Sequence, residues 1–220
     1  MRSLIYAVVF FHLFPLLIFL VYPKSLRFNK INLLITGLII SSFLADLIGI
    51  WLGDSGVNTN LVSNSYIIID RIINVLILIC FSSISLKLKK LLFATTIIVS
   101  IYQIASSFFN PYLLQHDYIN IISGVILCLF SLHTLVALVY KNVAESSTIN
   151  IRIWPVLAIF FFMSATLIPD MITNIDDSIN FPKYFHQIRL GVTLGSNVLR
   201  DSLFALFFFE TKKMNYDTGK

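Results

Sequence analysis

Asn64-Ser65-Tyr66-Ile67-Ile68-Ile69-Asp70-Arg71-Ile72-Ile73-Asn74-Val75-Leu76-Ile77-Leu78-Ile79-Cys80-Phe81-Ser82-Ser83-Ile84-Ser85 is long enough and apolar enough to read as one helix set in lipid. Its twelve large aliphatic and Phe side chains each favour insertion by roughly 0.3–0.6 kcal/mol. Asp70 and Arg71 would each oppose it by about 2.5–3.5 kcal/mol at the bilayer centre. The two sums nearly cancel. The pair therefore has to lie off-centre, face protein, or neutralise charge.

The rest of the chain repeats the pattern. Of its 220 residues 57% are hydrophobic and only 12% charged, with a mean hydropathy of +0.86. Soluble domains carry about 25% charged residues, so a soluble fold of this length would lack polar surface to cover itself. A spanning helix takes about 20 apolar residues, which leaves room for seven helices and no separate extramembrane domain. The reading is an all-α, polytopic transmembrane helical bundle in one domain, 1–220. Its spans are expected at 3–22, 31–52, 64–85, 90–109, 117–140, 152–174 and 187–209. The apolar run after Met1-Arg2-Ser3 is about 20 residues long and lacks an A-x-A cleavage site. It reads as the first span, with Pro15 inside it.

Charge gives an orientation. Lys24, Arg27 and Lys30 follow the first span, Lys87, Lys89 and Lys90 the third, Lys141 and Arg152 the fifth, and Lys212, Lys213 and Lys220 the seventh. The loops after the second and fourth spans hold no Lys or Arg, and the loop after the sixth holds Asp176, Asp177 and Lys183. The positive-inside rule then places the N-terminus outside and the C-terminus in the cytoplasm of a multi-pass membrane protein. The net charge of +5 is spent on this alternation, and nucleic acid is not an expected partner. The partner in every case is the lipid bilayer. Cys80 and Cys128 fall inside apolar runs without metal or redox spacing and read as buried free thiols. No P-loop, G-x-S-x-G or H-E-x-x-H motif occurs. Neither a cofactor, a metal nor a catalytic residue is expected.

Function is sought among polar residues inside the spans, where ionisable groups need a reason to exist. On the expected orientation, Asp46, Asp70, Arg71, Asn74, Gln103, Asp170, Asn174 and Arg189 fall in the outer half, joined by Tyr102, Asn120 and His186. Asp70 and Asn74, and Asp170 and Asn174, stand four apart on shared helix faces. The first eight are the candidate ligand-binding residues of an outward-facing polar cavity. Arg71 is expected to find a carboxylate on another helix, Asp46 or Asp170, because neighbours in a helix point about 100° apart. Near the helix ends the plainer reading is an interfacial position. For the carboxylates it is structural pairing with Arg71 or Arg189. Asn197, Arg200 and Asp201 form a second group, read as anchoring, with Arg200 pairing with Asp201 or reaching toward the cytoplasmic headgroups. Gly191 and Gly195 read as a close-packing pair. His12 and His133 read as isolated histidines bonded to a neighbouring helix.

Three short features carry a resemblance: Phe43-Leu44-Ala45-Asp46 late in the second span, Tyr66-Ile67-Ile68-Ile69-Asp70 opening the third, and an Asn-containing seventh span. With these the chain resembles a group of small seven-helix membrane proteins of Bacteroidetes-type bacteria. Asp70 departs from the glutamate usual in that group. The resemblance implies a sensor or accessory component of a signalling system and carries over no activity. The first expectation is therefore a receptor-like protein that binds a small-molecule ligand and signals through a partner protein. A proton-coupled transporter of small solutes or ions is the second. An intramembrane lipid-processing enzyme using Asp46, Asp70 and Asp170 is the third.

Overall fold

The computed structural model describes residues 2–21, 29–109, 118–145, 151–175 and 183–217. Positions 2–4, 60, 61, 107, 108, 118, 119, 141–145, 169, 170, 172–175, 183–186, 189 and 214–217 are described by backbone alone. All regular structure among these residues is helical: α1 (Arg2–Phe11), α2 (Leu13–Leu20), α3 (Lys30–Asp54), α4 (Asn60–Phe81), α5 (Leu86–Phe109), α6 (Tyr118–Glu145), α7 (Ile153–Ile175) and α8 (Lys183–Asp217). Helices α3, α4, α5, α6 and α8 are long and apolar enough to cross a membrane, and Ile5–Leu20 and Ile153–Ile168 are shorter apolar stretches. With α1 and α2 taken as one interrupted helix, the count is the seven expected.

The interruption has a local cause. Proline lacks an N–H and its ring crowds the carbonyl four residues back. For Pro15 that residue is Phe11, where α1 stops. His12 occupies the joint with φ −56° and ψ −25°, and α2 resumes at Leu13. Other boundaries follow caps. The Asn29 side chain accepts from Ile31 N–H at 3.1 Å and opens α3. Ser85 opens α5: its carbonyl accepts from Lys89 N–H at 3.0 Å and its hydroxyl from Leu88 N–H at 3.4 Å. This brings Lys87, Lys89 and Lys90 into the first turns of α5, where the sequence reading began the helix at 90.

Helices adjacent in sequence pack as α3 on α4, α4 on α5, α6 on α7 and α7 on α8. Helix α8 closes the bundle onto α1, α2 and α3, while α4 reaches α6 and α7. The core joins Ile35 and Ile39 of α3, Leu78 of α4, Leu127 of α6, Ile159 of α7 and Phe204 and Phe208 of α8. Helix α5 adds a different face. Thr96, Ser100 and Gln103 are buried, whereas Leu91, Ile98, Ile101 and Ile104 are exposed. Small and polar side chains turned inward with large apolar ones outward is the packing that lipid permits and water does not.

Close approach occurs at a different glycine from those the sequence singled out. A Cβ on Gly124 would stand 2.8 Å from Leu167 Cδ2, so α6 meets α7 there, while a Cβ on Gly191 or Gly195 would meet nothing within 4 Å. The buried face of α8 carries Ser196, Arg200 and Phe204, and the two glycines lie off it. The thiols also differ from expectation: Cys80 is exposed, and half-buried Cys128 stands 3.1 Å from Ser164 Oγ. Gly124→Leu should push α6 off α7 and lower stability in detergent by about 1–3 kcal/mol. Gly191→Leu should change it by less than about 0.5 kcal/mol. Thermal unfolding of the two variants side by side checks the assignment.

Candidate functional site

Asp70 and Arg71 are neighbours in sequence and turn to different sides of α4, as the 100° step of a helix allows. Each begins a separate polar network.

On the Asp70 side, Arg200 of α8 is the centre. Its side chain is 1% exposed. Nη1 stands 3.4 Å from Asp70 Oδ1 and donates to Tyr66 Oη at 3.2 Å; Nη2 donates to Ser42 Oγ at 2.9 Å. Tyr66 donates to Asp70 Oδ1 at 3.1 Å and lies 2.9 Å from Ser42 Oγ, and Asn74 donates to Asp70 Oδ2 at 2.9 Å. The guanidinium carbon sits 4.4 Å over the centre of the Phe162 ring of α7, a cation–π contact that desolvation strengthens. One Arg thus touches α3, α4 and α7 from α8.

The network continues through Asp201. Its Oδ2 bonds His12 Nδ1, and His12 Nε2 stands 3.1 Å from Asp46 Oδ2. The His12 side chain is fully buried, Asp201 is 1% exposed and Asp46 37%. A buried imidazole therefore links a buried carboxylate to a partly exposed one. Its position at the Pro15-loosened joint places the ring between α3 and α8. One seam is left open. Arg200 Nε and Asp201 Oδ1 are both buried without a hydrogen bond among the described residues, and face each other at 3.5 Å.

On the other side Arg71 donates to Gln103 Oε1 at 2.5 Å and to Asn120 Oδ1 at 2.6 Å, and Gln103 Nε2 donates to Asn120 Oδ1. This is a cation solvated by amides. It corrects the expectation that Arg71 pairs with Asp46. The Asp46 carboxylate lies one turn beyond Ser42 on the same face of α3 and is turned to His12, while Arg71 points toward α5 and α6. Asp170, its other expected partner, lies outside the described side chains, as do Asn174, Arg189 and His186.

The structure thus brings together Asp46, Asp70 and Asn74 of the expected residues in one network, and Arg71 and Gln103 in the other. Sequence reasoning missed His12, Ser42 and Tyr66 as members. It also placed Arg200 and Asp201 in a separate anchoring group, whereas they join the same cluster as Asp70 and Asp46. The available signal was helix phase: Ser42 and Asp46 stand four apart, as do Tyr66 and Asp70. His12 was bonded to neighbouring helices as expected, whereas His133 lies on the exposed face of α6. No group of three or more His, Cys, Asp or Glu suited to a metal occurs among the described residues. Comparison with protein families, with characterised proteins and with solved structures finds no match to this chain.

The two arginines should differ when removed. Arg200→Met strands Asp70 and Asp201 and should lower stability by about 3–5 kcal/mol, the cost of leaving a buried charge alone. Arg71→Met leaves Gln103 and Asn120 bonded to each other and should lose about 1–3 kcal/mol. Unfolding in detergent gives the order, and a reversed order would contradict the assignment of partners.

Proposed function

We propose that the chain is a receptor-like component of a bacterial inner membrane, with its N-terminus outside and its C-terminus in the cytoplasm. It responds to a small ligand and passes the response to a partner signalling protein. The observation that supports this most is the Arg200 cluster. A switch needs an element with two arrangements of nearly equal energy. Here Arg200 is shared between Asp70 and Asp201, and Asp201 between Arg200 and His12. A small shift of α8 would bring Arg200 closer to one carboxylate and farther from the other. The unbonded Arg200 Nε and Asp201 Oδ1 mark where such a shift improves contact. The resemblance to small seven-helix proteins of Bacteroidetes-type bacteria points the same way.

A second reading is favoured by His12. Among the described residues, Asp70 and Asp201 face one permanent cation, Arg200, while Asp46 turns to His12. The imidazole that bridges Asp46 and Asp201, with Arg200 beyond, is the group placed to take up a proton. That is the arrangement of a proton-coupled transporter.

Orientation is tested by reporter fusions. One after Lys220 should read as cytoplasmic and one near Gly56 as external; the reverse result removes the outward-facing reading. The two functions separate in liposomes loaded with a pH dye. Proton uptake above empty liposomes, lost in His12→Gln, would favour the transporter. The receptor reading expects no uptake. It expects spin labels at Lys30 and Lys213, in a background with both cysteines replaced by serine, to move apart or together by about 1–2 Å or more in Asp70→Asn. Unchanged distances would count against a switch.

A further inference from the structure

Helix α5 packs on α4, and only 17% of its most apolar stretch is buried. Between it and α6, floored by α4, runs a cleft of about 480 Å³. Its walls extend along α5 from Leu88 to Tyr102, a rise of about 21 Å at 1.5 Å per residue. The cleft is therefore long and narrow. Besides the phenol of Tyr102 at its far end, three hydroxyls line it, and each is bonded within its own helix. Thr95 donates to Leu91 O at 2.9 Å, Thr96 to Leu92 O at 2.8 Å and Ser123 to Asn120 O at 3.0 Å. The walls are thus apolar in effect, down to Leu88.

The far end is different. Arg71 lines the cleft near Tyr102 and Ile122 and is 5% exposed. Gln103 and Asn120 turn their carbonyl oxygens to it, which solvates the cation without neutralising it. The adjacent carboxylate, Asp70, is engaged on a different side of α4 by Tyr66, Asn74 and Arg200. No carboxylate among the described residues lies in ion-pair contact with Arg71. A buried cation at one end of a greasy slot selects a ligand with one negative head and one extended chain.

We propose that the cleft between α4, α5 and α6 is a binding site for a long-chain fatty acid, its carboxylate at Arg71 and its acyl chain running along α5 toward Leu88. The charge complementarity chooses this occupant over a neutral lipid tail, and the single narrow slot chooses one chain over two. The site stands on a different side of α4 from the Arg200 cluster and does not depend on the receptor reading.

The test uses the full chain in nanodiscs of neutral lipid and spin-labelled palmitate at a pH where it is ionised. Saturable immobilisation is expected, displaced by unlabelled palmitate and at least tenfold less well by hexadecanol, which has the chain without the charge. Arg71→Gln should weaken binding at least tenfold. Thr95→Trp, at an exposed wall position that leaves the head untouched, should abolish it by filling the slot. Equal displacement by palmitate and hexadecanol would overturn the proposal. So would displacement by phosphatidylglycerol but not by palmitate, or binding unchanged in Thr95→Trp. The last variant carries the test if Arg71→Gln fails to fold.

Discussion

A guanidinium enclosed by apolar helices has to find its acceptors inside protein, because water is out of reach and lipid offers none. For Arg200 that demand organises the bundle. Its donors are met from α3 by Ser42 and from α4 by Asp70 and Tyr66, and its flat face is met from α7 by Phe162. Each of these groups has one position along its helix. The vertical register of four helices therefore follows from one side chain. Hydrophobic packing alone could not do this, since lipid tails compete equally well for every Leu and Ile.

The same demand explains why the polar residues are connected. A carboxylate that turns to Arg200 loses its own water, so its remaining lone pairs need donors. Asn74 and Tyr66 supply them to Asp70, and Asp201 is hydrogen-bonded to His12 Nδ1. The Pro15 joint contributes here as well. By ending α1 at Phe11 it sets His12 where its two nitrogens reach Asp46 and Asp201 at once. A proline that looks like a defect in the first span thereby positions a member of the central cluster.

The helices were legible because insertion depends on composition summed along twenty residues, which a sequence displays directly. Their ends moved where a single cap decided them, as Ser85 did for α5. The networks were half legible. Faces within one helix, such as Asp70 with Asn74, follow from the 3.6-residue period alone. Partners between helices depend on rotation about each axis and on which helices touch, and neither leaves a local trace. Asp46 and Arg71 are opposite charges that the expected depths bring level, yet α3 turns one to His12 and α4 turns the other to Gln103 and Asn120. Gly191 and Gly195 failed for the same reason: their spacing is right for close packing, but α8 buries another face.

The two networks differ in charge. Among the described residues Arg200 is in ion-pair contact with two carboxylates, Asp70 and Asp201, whereas the hydrogen-bond partners of Arg71 are the amides of Gln103 and Asn120. They are separated by one peptide unit of α4, in surroundings where charges are weakly screened. Asp70 thus lies in the field of two arginines, held by Arg200 through contact and attracted by Arg71 through the helix. An anion seated at Arg71 would cancel part of the second pull and leave Asp70 more firmly with Arg200. Coupling between binding equilibria is reciprocal. A shift of Arg200 toward Asp201 would then weaken the hold on that anion by the same factor. Asp70 and Arg71, whose charges made the third span hard to insert, are the adjacent pair through which a cleft on one side of α4 and a charge cluster on the other would sense each other.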